Sequence, residues 1–542
     1  MRTVRPEDVK DLKLPAGSFE LVQKDERLSD KAFETEPVTY FQDAIKRFKK
    51  NNASVVAAWI IFLLFLYAIV VPIASPYTVR DREAYYKKIL PKAPIFEKLG
   101  WDFWDGGRRQ TLNQSRYDYF TGIAEELAKG HGNDADAVNP IMKVYEIRED
   151  KIIKGKKEAI DVSYDVRLNH YRKLGLVEMN LTRDEYAKLV KWQDATGLQL
   201  LYPQIKSSSA DFMGGGSDDP NVYYKVNQKG VAVRTKEGDL KLSYATADPE
   251  AYTSLRIEGD PGNYSYYKRT QTGMTCRVDY YNYFRYYKSG SQISANLEDT
   301  SQDVYEVGPE PVFFFGTNQH GQDLFTCLAY GARFSFSMAV AISMINIFIG
   351  AIIGALEGYY GGATDMVIER IKDILAGVPF MVTMVLFREH LQQSVGIIGT
   401  VIFAYVLTGW IGTSSLVRTQ FYRFKNQEYV LAARTLGASD KRIITKHIFP
   451  NAIGTIITST VLVIPGFIFS ESSLSYLGII NLASANTTSV GTLLAGGNAY
   501  LQQYPHIIFF PSIFISLLLI SFNLFGNGLR DAFNPSLRGA DE

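Results

Sequence analysis

The chain has 542 residues, with 58 Lys and Arg against 57 Asp and Glu, and its net charge of +1 offers no electrostatic case for binding nucleic acid. A length of this order argues for several domains, and a mean hydropathy near zero suits neither a pure membrane bundle nor an ordinary soluble enzyme, so a mixture of the two is expected. Two cysteines, Cys276 and Cys327, cannot build a disulfide framework, and the six histidines show no pair at metal-ligand spacing; with neither a G-x-x-x-x-G-K-[ST] nor a G-x-S-x-G motif, no metal, cofactor or catalytic residue is expected.

Residues 1–37 are polar and mixed in charge, and are expected to form a cytoplasmic tail. From Val38 the pattern changes: Phe41, Ala44, Ile45 and Phe48 fall at helical spacing among Lys46, Arg47, Lys49 and Lys50. Two readings stay open for this end of the 1–52 region, a helix lying on an anionic inner leaflet and a basic flank that orients the next span. Residues 53–74 are an uncharged run of about 22 residues, enough to cross a hydrocarbon core roughly 30 Å thick. The basic cluster places the N-terminal side of this span in the cytoplasm, and the span is expected to persist as an uncleaved anchor.

Residues 75–313 are a long polar excursion. Thr182-Arg-Asp-Glu185 is a capping box with Leu181 and Tyr186 as its hydrophobic staple, and Tyr186, Leu189, Val190 and Trp192 mark a buried helical face. Val231-Ala-Val233 and Leu240-Lys-Leu242-Ser-Tyr244 alternate on either side of Lys236-Glu-Gly238-Asp239, the pattern of a hairpin. Ser207–Pro220, containing Gly214, Gly215 and Gly216, predicts a flexible internal loop. The run Tyr280 to Tyr287 reads either as a Tyr-rich strand packed on its own sheet or as an aromatic docking surface. These signals predict an inserted α+β domain, and one crossing from a cytoplasmic N-terminus puts residues from about 75 to about 330 on the outer face.

Residues 314–542 hold five more apolar spans: Ser335–Leu356, a third beginning over Asp365–Pro379, one from Val395 to about Gly412, Ile453–Ser470 and His506–Phe525. Gly350 and Gly354 stand at the spacing that lets helices approach closely, and Pro465-Gly466 predicts a kink. Asp365, Arg370 and Asp373 read as ion pairing at the cytoplasmic mouth of the bundle. Glu471, just beyond the kinked span, is expected either to cap the following short helix or to line an outer vestibule. Six transmembrane helices leave both termini in the cytoplasm.

Between the fourth and fifth spans, residues 428–451 carry Glu428, Ala432, Ala433, Gly437, Ser439, Asp440, Arg442, His447 and Pro450. Glu428 to Leu436 are good helix formers, Gly437 supplies a left-handed stop, Ser439 or Asp440 can cap a second helix, and Pro450 is expected to end it. Arg434, Lys441, Arg442 and Lys446 mark the segment as a cytoplasmic loop.

This run, E-Y-V-L-A-A-R-T-L-G-A-S-D-K-R-I-I-x-x-H-I-x-P-N, resembles the EAA coupling loop of bacterial ABC importer permeases, in particular the C-type permease of oligopeptide and dipeptide importers. Leu90–Gly106, Phe313–Asp323, Asp365–Pro379, Glu471–Gly478 and Asn523–Pro535 resemble other segments of the same family. Asn318 stands where the family usually has Asp and Gln322 where it has Arg, Ile479–Val490 lacks the usual Pro-rich, Trp-containing sequence, and residues 110–305 match no module. The resemblance implies an α-helical polytopic membrane protein of the type I ABC importer permease fold, in a bacterial plasma membrane and in contact with membrane lipid. It implies a non-catalytic subunit for peptide import, working with a B-type second permease, two ABC ATPase subunits and an extracytoplasmic peptide-binding lipoprotein. An importer of nickel or another small solute is the nearest alternative, and a membrane-anchored extracellular sensor is the rival from another class. His320 and Asp323 are read as part of a turn set by Gly316 and Gly321, not as an acid–base pair.

Overall fold

The computed structural model describes residues 40–533, apart from 131–133, 155–156, 207–218, 228–229, 246–263, 294–304 and 485. The N-terminal tail, nearly all of the Ser207–Pro220 loop and the terminal Asn534-Pro535 lie outside the described residues. The basic amphipathic segment is helix α1 (Tyr40–Lys50), and the first span is α2 (Asn52–Ala74). Asn51 caps α2 by accepting the Ser54 N–H at 3.2 Å. Ala44 is buried while Ile45 is 53% exposed, so α1 presents one side to protein and another outward.

The excursion builds α3 (Pro94–Lys98), β1 (Gly107–Asn113), α4 (Gln114–Lys129), α5 (Ala135–Val138), β2 (Ile141–Lys154), β3 (Lys157–Asn169), β4 (Leu176–Leu181), α6 (Arg183–Thr196), β5 (Leu201–Tyr202), β6 (Lys268–Arg269), β7 (Met274–Asp279) and α7 (Tyr280–Ile293). Two antiparallel sheets result, one ordered β1-β3-β2 and one ordered β4-β7-β5 with β6 also on β7. Phe120, Ile123 and Leu127 recur along one face of α4 and pack with Val166 and Leu168 of β3 and Tyr202 of β5. Helix and second sheet are also tied by charge: Arg277 of β7 pairs with Glu126 of α4 at 2.7 Å, both fully buried, and Arg277 Nε donates to the Pro220 carbonyl at 2.8 Å. Burial raises the Glu126 carboxyl above its usual range and Arg277 pulls it back, so the pair serves alignment more than net stability.

The local signals are met in α6, where Thr182 and Glu185 form the reciprocal box and Leu181, Tyr186, Leu189, Val190 and Trp192 share one core cluster. The hairpin is also present: Lys241 N–H bonds Val233 C=O at 2.9 Å, Thr235 N–H bonds Asp239 C=O at 2.7 Å, and Gly238 takes φ 101°. The Tyr280–Tyr287 run is not a strand; it opens helix α7, which buries Tyr280, Tyr281 and Phe284 and leaves Tyr287 52% exposed. Asp279 Oδ1 accepts the Tyr281 N–H at 3.0 Å, which starts a helix, and Tyr280, Tyr281, Phe284 and Lys288 then repeat at helical rather than alternating spacing on the buried side.

Those tyrosines join a core that does not stop at the domain. Tyr86 and Ile89 on the way in, Phe313 on the way out, and Tyr171, Val177, Tyr280, Tyr281 and Phe284 form one cluster, with Tyr86 0% and Phe313 1% exposed. Cutting out residues 110–305 would therefore uncover the roots, and the domain is not a detachable insert. Burial beside Arg172 and Arg285 leaves the Asp279 carboxyl pushed up from 3.8 to about 6. A folded-state value above the unfolded one means that the fold holds the proton more tightly, so the contribution of Asp279 to stability is greatest below pH 4 and falls as pH rises to 6. The loss is about 3 kcal/mol at about 1.4 kcal/mol per unit. Hydrogen exchange of the β7 amides, corrected for intrinsic rate, is expected to show this decline, and Asp279→Asn to flatten it; an unchanged slope in the variant would remove Asp279 as its source.

The membrane part continues with α8 (Leu324–Tyr360), α9 (Gly362–Ala376), α10 (Phe380–Phe424), α11 (Glu428–Thr435), α12 (Asp440–Arg442), α13 (Phe449–Thr460), α14 (Val463–Tyr476), α15 (Val490–Asn498) and α16 (His506–Phe533). Among the described residues, five helical stretches are long and apolar enough to cross a membrane, namely α2, α8, α10, Asp440–Tyr476 and α16. The 45 residues of α10 would span about 68 Å if straight, over twice a hydrocarbon core. They are not straight. Gly396 breaks the helix at φ 73°, and the Phe380 and Tyr405 rings lie 4.6 Å apart although a straight helix would separate them by about 37 Å. The chain thus doubles back at Gly396, and α9 with the first leg of α10 supplies the third of six passages.

Glycines bring α8 and the second leg of α10 together. A Cβ at Gly350 would stand 2.8 Å from Trp410 O, and one at Gly354 would collide with Ser414 O. The kink expected at Pro465 appears one turn earlier, between Thr460 and Val463, because the proline ring conflicts with the carbonyl four residues before it. At the root of the α+β domain, Gly316 and Gly321 both take φ 76°, with no room for a Cβ against Ile89 O and Glu83 O. Asn318 Nδ2 donates to Gln322 Oε1 at 2.9 Å, so a neutral amide pair occupies the place of the usual Asp and Arg.

Candidate coupling site

Residues 428–451 lie at the end of the bundle away from the α+β domain. Glu428 is the first helical residue of α11 and is exposed, as is Ala432; Ala433 is half-buried. The helix closes by the expected left-handed turn: Gly437 takes φ 80°, its N–H bonds Arg434 O at 3.0 Å, and Ala438 N–H reaches back to Ala433 O at 3.0 Å. Ser439 occupies the cap position of the next helix through its backbone alone, the Ile443 N–H bonding its carbonyl at 2.9 Å without a side-chain cap.

Pro450 does not end the second helix. Ile443–Ile448 winds as a wider π-helical turn, with Phe449 N–H bonded to Ile444 O, and the helix then runs on through Pro450 in the first turn of α13. The wider turn removes the need for the N–H that proline lacks and lets the helix run on from Asp440 to the kink after Thr460. Arg442 is exposed at the start of this turn, and His447 is half-buried with its carbonyl accepting Asn451 Nδ2 at 2.8 Å.

Three residues of the run that are not among the nine named above hold the segment to the bundle. Val430, Ile443 and Ile448 are fully buried and share a cluster with Tyr359 of α8, Val417 and Phe421 of α10, and Ala452 and Ile456 of α13. The Tyr359 hydroxyl donates to Asp440 Oδ1 at 2.6 Å, and the Arg434 guanidinium stands 5.9 Å over the Tyr359 ring. Opposite this anchored face the turn is bare: Leu436 is 88% exposed, and a Cβ at Gly437 would meet open space. With an unburied leucine at its helix–turn–helix tip and Val430, Ile443 and Ile448 packed against α8, α10 and α13, the unit has the form of a lever with a free end.

Beside the lever lies a charged cluster whose pairing differs from the sequence reading. Asp365 pairs with Arg418 of α10, Nε to Oδ1 at 2.5 Å and Nη2 to Oδ2 at 2.8 Å, and accepts the Tyr422 hydroxyl at 2.8 Å. Among the described residues Arg370 pairs with Asp373, on an exposed face. The buried centre is Lys372, whose Nζ lies 2.8 Å from Glu357 Oε2 of α8 and 2.9 Å from Glu369 Oε1, while Ser414 Oγ donates to Glu357 at 3.1 Å. The cluster therefore ties α8, α9 and α10 together. Glu357, a lone acid in a long apolar stretch, was the signal available in the sequence.

Glu471 is not part of this site. It sits inside α14 with 1% exposure and accepts hydroxyls from Ser489 at 2.7 Å, Ser475 at 3.1 Å and Ser335 at 3.2 Å. It does not cap the next helix itself; it orients Ser489, which does, in a box with Thr492.

Comparison with known proteins agrees with the arrangement. Residues 346–539 match the family described as binding-protein-dependent transport system inner membrane component, and residues 39–94 match the N-terminal TM domain of oligopeptide transport permease C. The chain is 42% identical over 230 residues to the oligopeptide transport system permease protein OppC of Bacillus subtilis, covering 42% of this chain and 74% of that protein. It is 40% identical over 231 residues to the dipeptide transport system permease protein DppC of the same organism, covering 42% and 71%, and 38% identical over 243 residues to OppC of Haemophilus influenzae, covering 44% and 76%. A multi-pass helical bundle, a Gly437-centred loop between its fourth and fifth passages and these matches together make the chain a member of the OppC/DppC-type permease family of binding-protein-dependent transport systems.

Proposed function

We propose that this chain is one permease subunit of an ATP-driven peptide importer in a bacterial plasma membrane, lining half of the translocation pathway and converting ATPase motion into alternating access. The observation that carries the reading is the lever. Its tip at Leu436–Gly437 is free to enter a groove on an ATPase, while Val430, Ile443, Ile448 and Asp440 fasten it to α8, α10 and α13. Closing of two ATPase subunits then moves three membrane helices as a unit and switches which side of the bundle is open. A B-type permease completes the pathway, and an extracytoplasmic peptide-binding protein delivers cargo to the face bearing residues 75–313, with both termini in the cytoplasm. ATP hydrolysis belongs to the separate ATPase chains.

The α+β domain emerges where a binding protein docks, and we assign it the role of docking platform. Its buried tyrosines take no part in this; the first part of β2, with Val144 40% and Ile147 56% exposed, offers a surface for it. Uptake of labelled di- and oligopeptides by proteoliposomes carrying the whole complex tests the reading. Accumulation that needs ATP and the binding protein supports it, and accumulation of nickel but not peptides would move the chain to the alternative cargo. Glu471→Gln is expected to change uptake of free and N-acetylated peptides equally, because the carboxylate meets serines and not the pathway. A loss confined to free peptides would return Glu471 to the vestibule.

A further inference from the structure

We propose that Pro94–Trp104 is a foot by which the α+β domain rests on the membrane, its partner being the headgroup zone of the lipid leaflet on that side. Four large apolar side chains crowd this short segment and remain outside the protein: Ile95 is 71% exposed, Leu99 57%, Trp101 56% and Phe103 61%. Scattered exposed apolar residues need no explanation, but four within nine positions, on a segment otherwise fastened down, mark a surface that is covered in use.

The segment is held rigidly. Ala93 N–H bonds Trp104 O at 2.7 Å, Lys92 N–H bonds Phe313 O at 3.0 Å, and the Tyr145 hydroxyl of β2 donates to Asp102 Oδ2 at 2.5 Å. Phe96 forms the inner support, its ring 5.5 Å from Trp101, 6.0 Å from Phe103 and 6.0 Å from Trp104. A flexible loop would fold such side chains inward; this one displays them.

Continuity with α16 identifies the occupant. The Trp104 ring lies 5.1 Å from Phe314 and 5.5 Å from Phe510, Phe315 stacks on Phe510 at 3.9 Å, and Phe509 beside it is 54% exposed at the same end of this membrane-crossing helix. The exposed aromatic surface therefore begins on the end of a transmembrane helix and runs without a gap onto the foot. Trp and Phe at that depth, with Glu97, Lys98 and Asp102 interspersed, match the half-wet zone where lipid headgroups meet acyl chains. A foot bonded through Asp102 to β2, and through the adjoining Asp105 to Arg167 of β3, would fix the tilt of the first sheet over the bundle.

The test places a nitrobenzoxadiazole label at Leu99→Cys in the full chain, reconstituted in liposomes; Cys276 and Cys327 are buried and stay unlabelled. Lys236→Cys, at the exposed hairpin turn, is the water-facing control. The label at 99 is expected to be quenched strongly by lipids brominated near the glycerol, and about threefold less by aqueous iodide than the label at 236. Adding Ile95→Ser, Trp101→Ser and Phe103→Ser is expected to restore iodide access. Equal iodide quenching at 99 and 236 would overturn the proposal in favour of a water-facing patch. Protection from both iodide and brominated lipid would overturn it in favour of a covering protein chain.

Discussion

Gly437→Asp is expected to leave the protein folded in the membrane and to cut ATP-driven uptake at least about tenfold, with ATP hydrolysis by the complex no longer linked to transport. The cause is local. Position 437 takes φ 80°, where an L residue costs about 1–2 kcal/mol, enough to depopulate the turn by about tenfold. The turn sits opposite the buried Val430–Ile443–Ile448 anchor, so the bundle itself loses no packing. Gly437→Ala separates strain from charge, because a Cβ there meets open space within this chain. If Ala is as damaging as Asp, the backbone turn is what matters; if Ala is harmless and Asp is not, the damage lies in the partner's groove. Wild-type uptake in both variants would leave the lever without a basis.

Lys372→Ala should have the largest effect on stability. It strands Glu357, which is 0% exposed and draws its charge compensation from Lys372 Nζ at 2.8 Å. Breaking a buried pair from one side costs about 3–5 kcal/mol, whereas replacing both partners with apolar groups of similar size is close to neutral. Thermal unfolding of the purified chain in detergent is therefore expected to fall sharply for Lys372→Ala and for the most part to recover in Lys372→Met with Glu357→Leu. A double variant as unstable as the sum of the two single variants would show that Glu357 and Lys372 act independently, and that α8 and α9 are joined by something else.

Much of this architecture could be read from residues alone because its signals are local. A capping box at Thr182–Glu185, left-handed glycines at 316, 321 and 437 and a charge-free stretch at 53–74 act within a few positions, and each produced the element it implies. What escaped the reading depends on partners distant in sequence. Pro450 signals a helix end in isolation, but the π-helical turn before it absorbs the missing donor and the helix continues. Asp365 reads as a partner of Arg370, five residues on; folding brings Arg418, fifty-three residues away, to it instead. The Tyr280–Tyr287 run has aromatic content that suits a strand, yet Asp279 starts a helix there and a core shared with the domain's roots takes up its rings. The reversal at Gly396 was legible for the same local reason: the polar run Arg388–Ser394 separates two apolar stretches, and the fourth span is read from Val395, one residue before the break.

The central claim, that residues 428–451 carry ATPase motion into the membrane helices, is tested most directly by a photo-activated cross-linking residue at Leu436, the exposed tip of the turn. In a complex assembled with its ATPases and importing peptide, the adduct is expected on an ATPase subunit, with a yield that changes when ATP is bound. An adduct on lipid or on another chain, in a complex that still imports, would contradict the account.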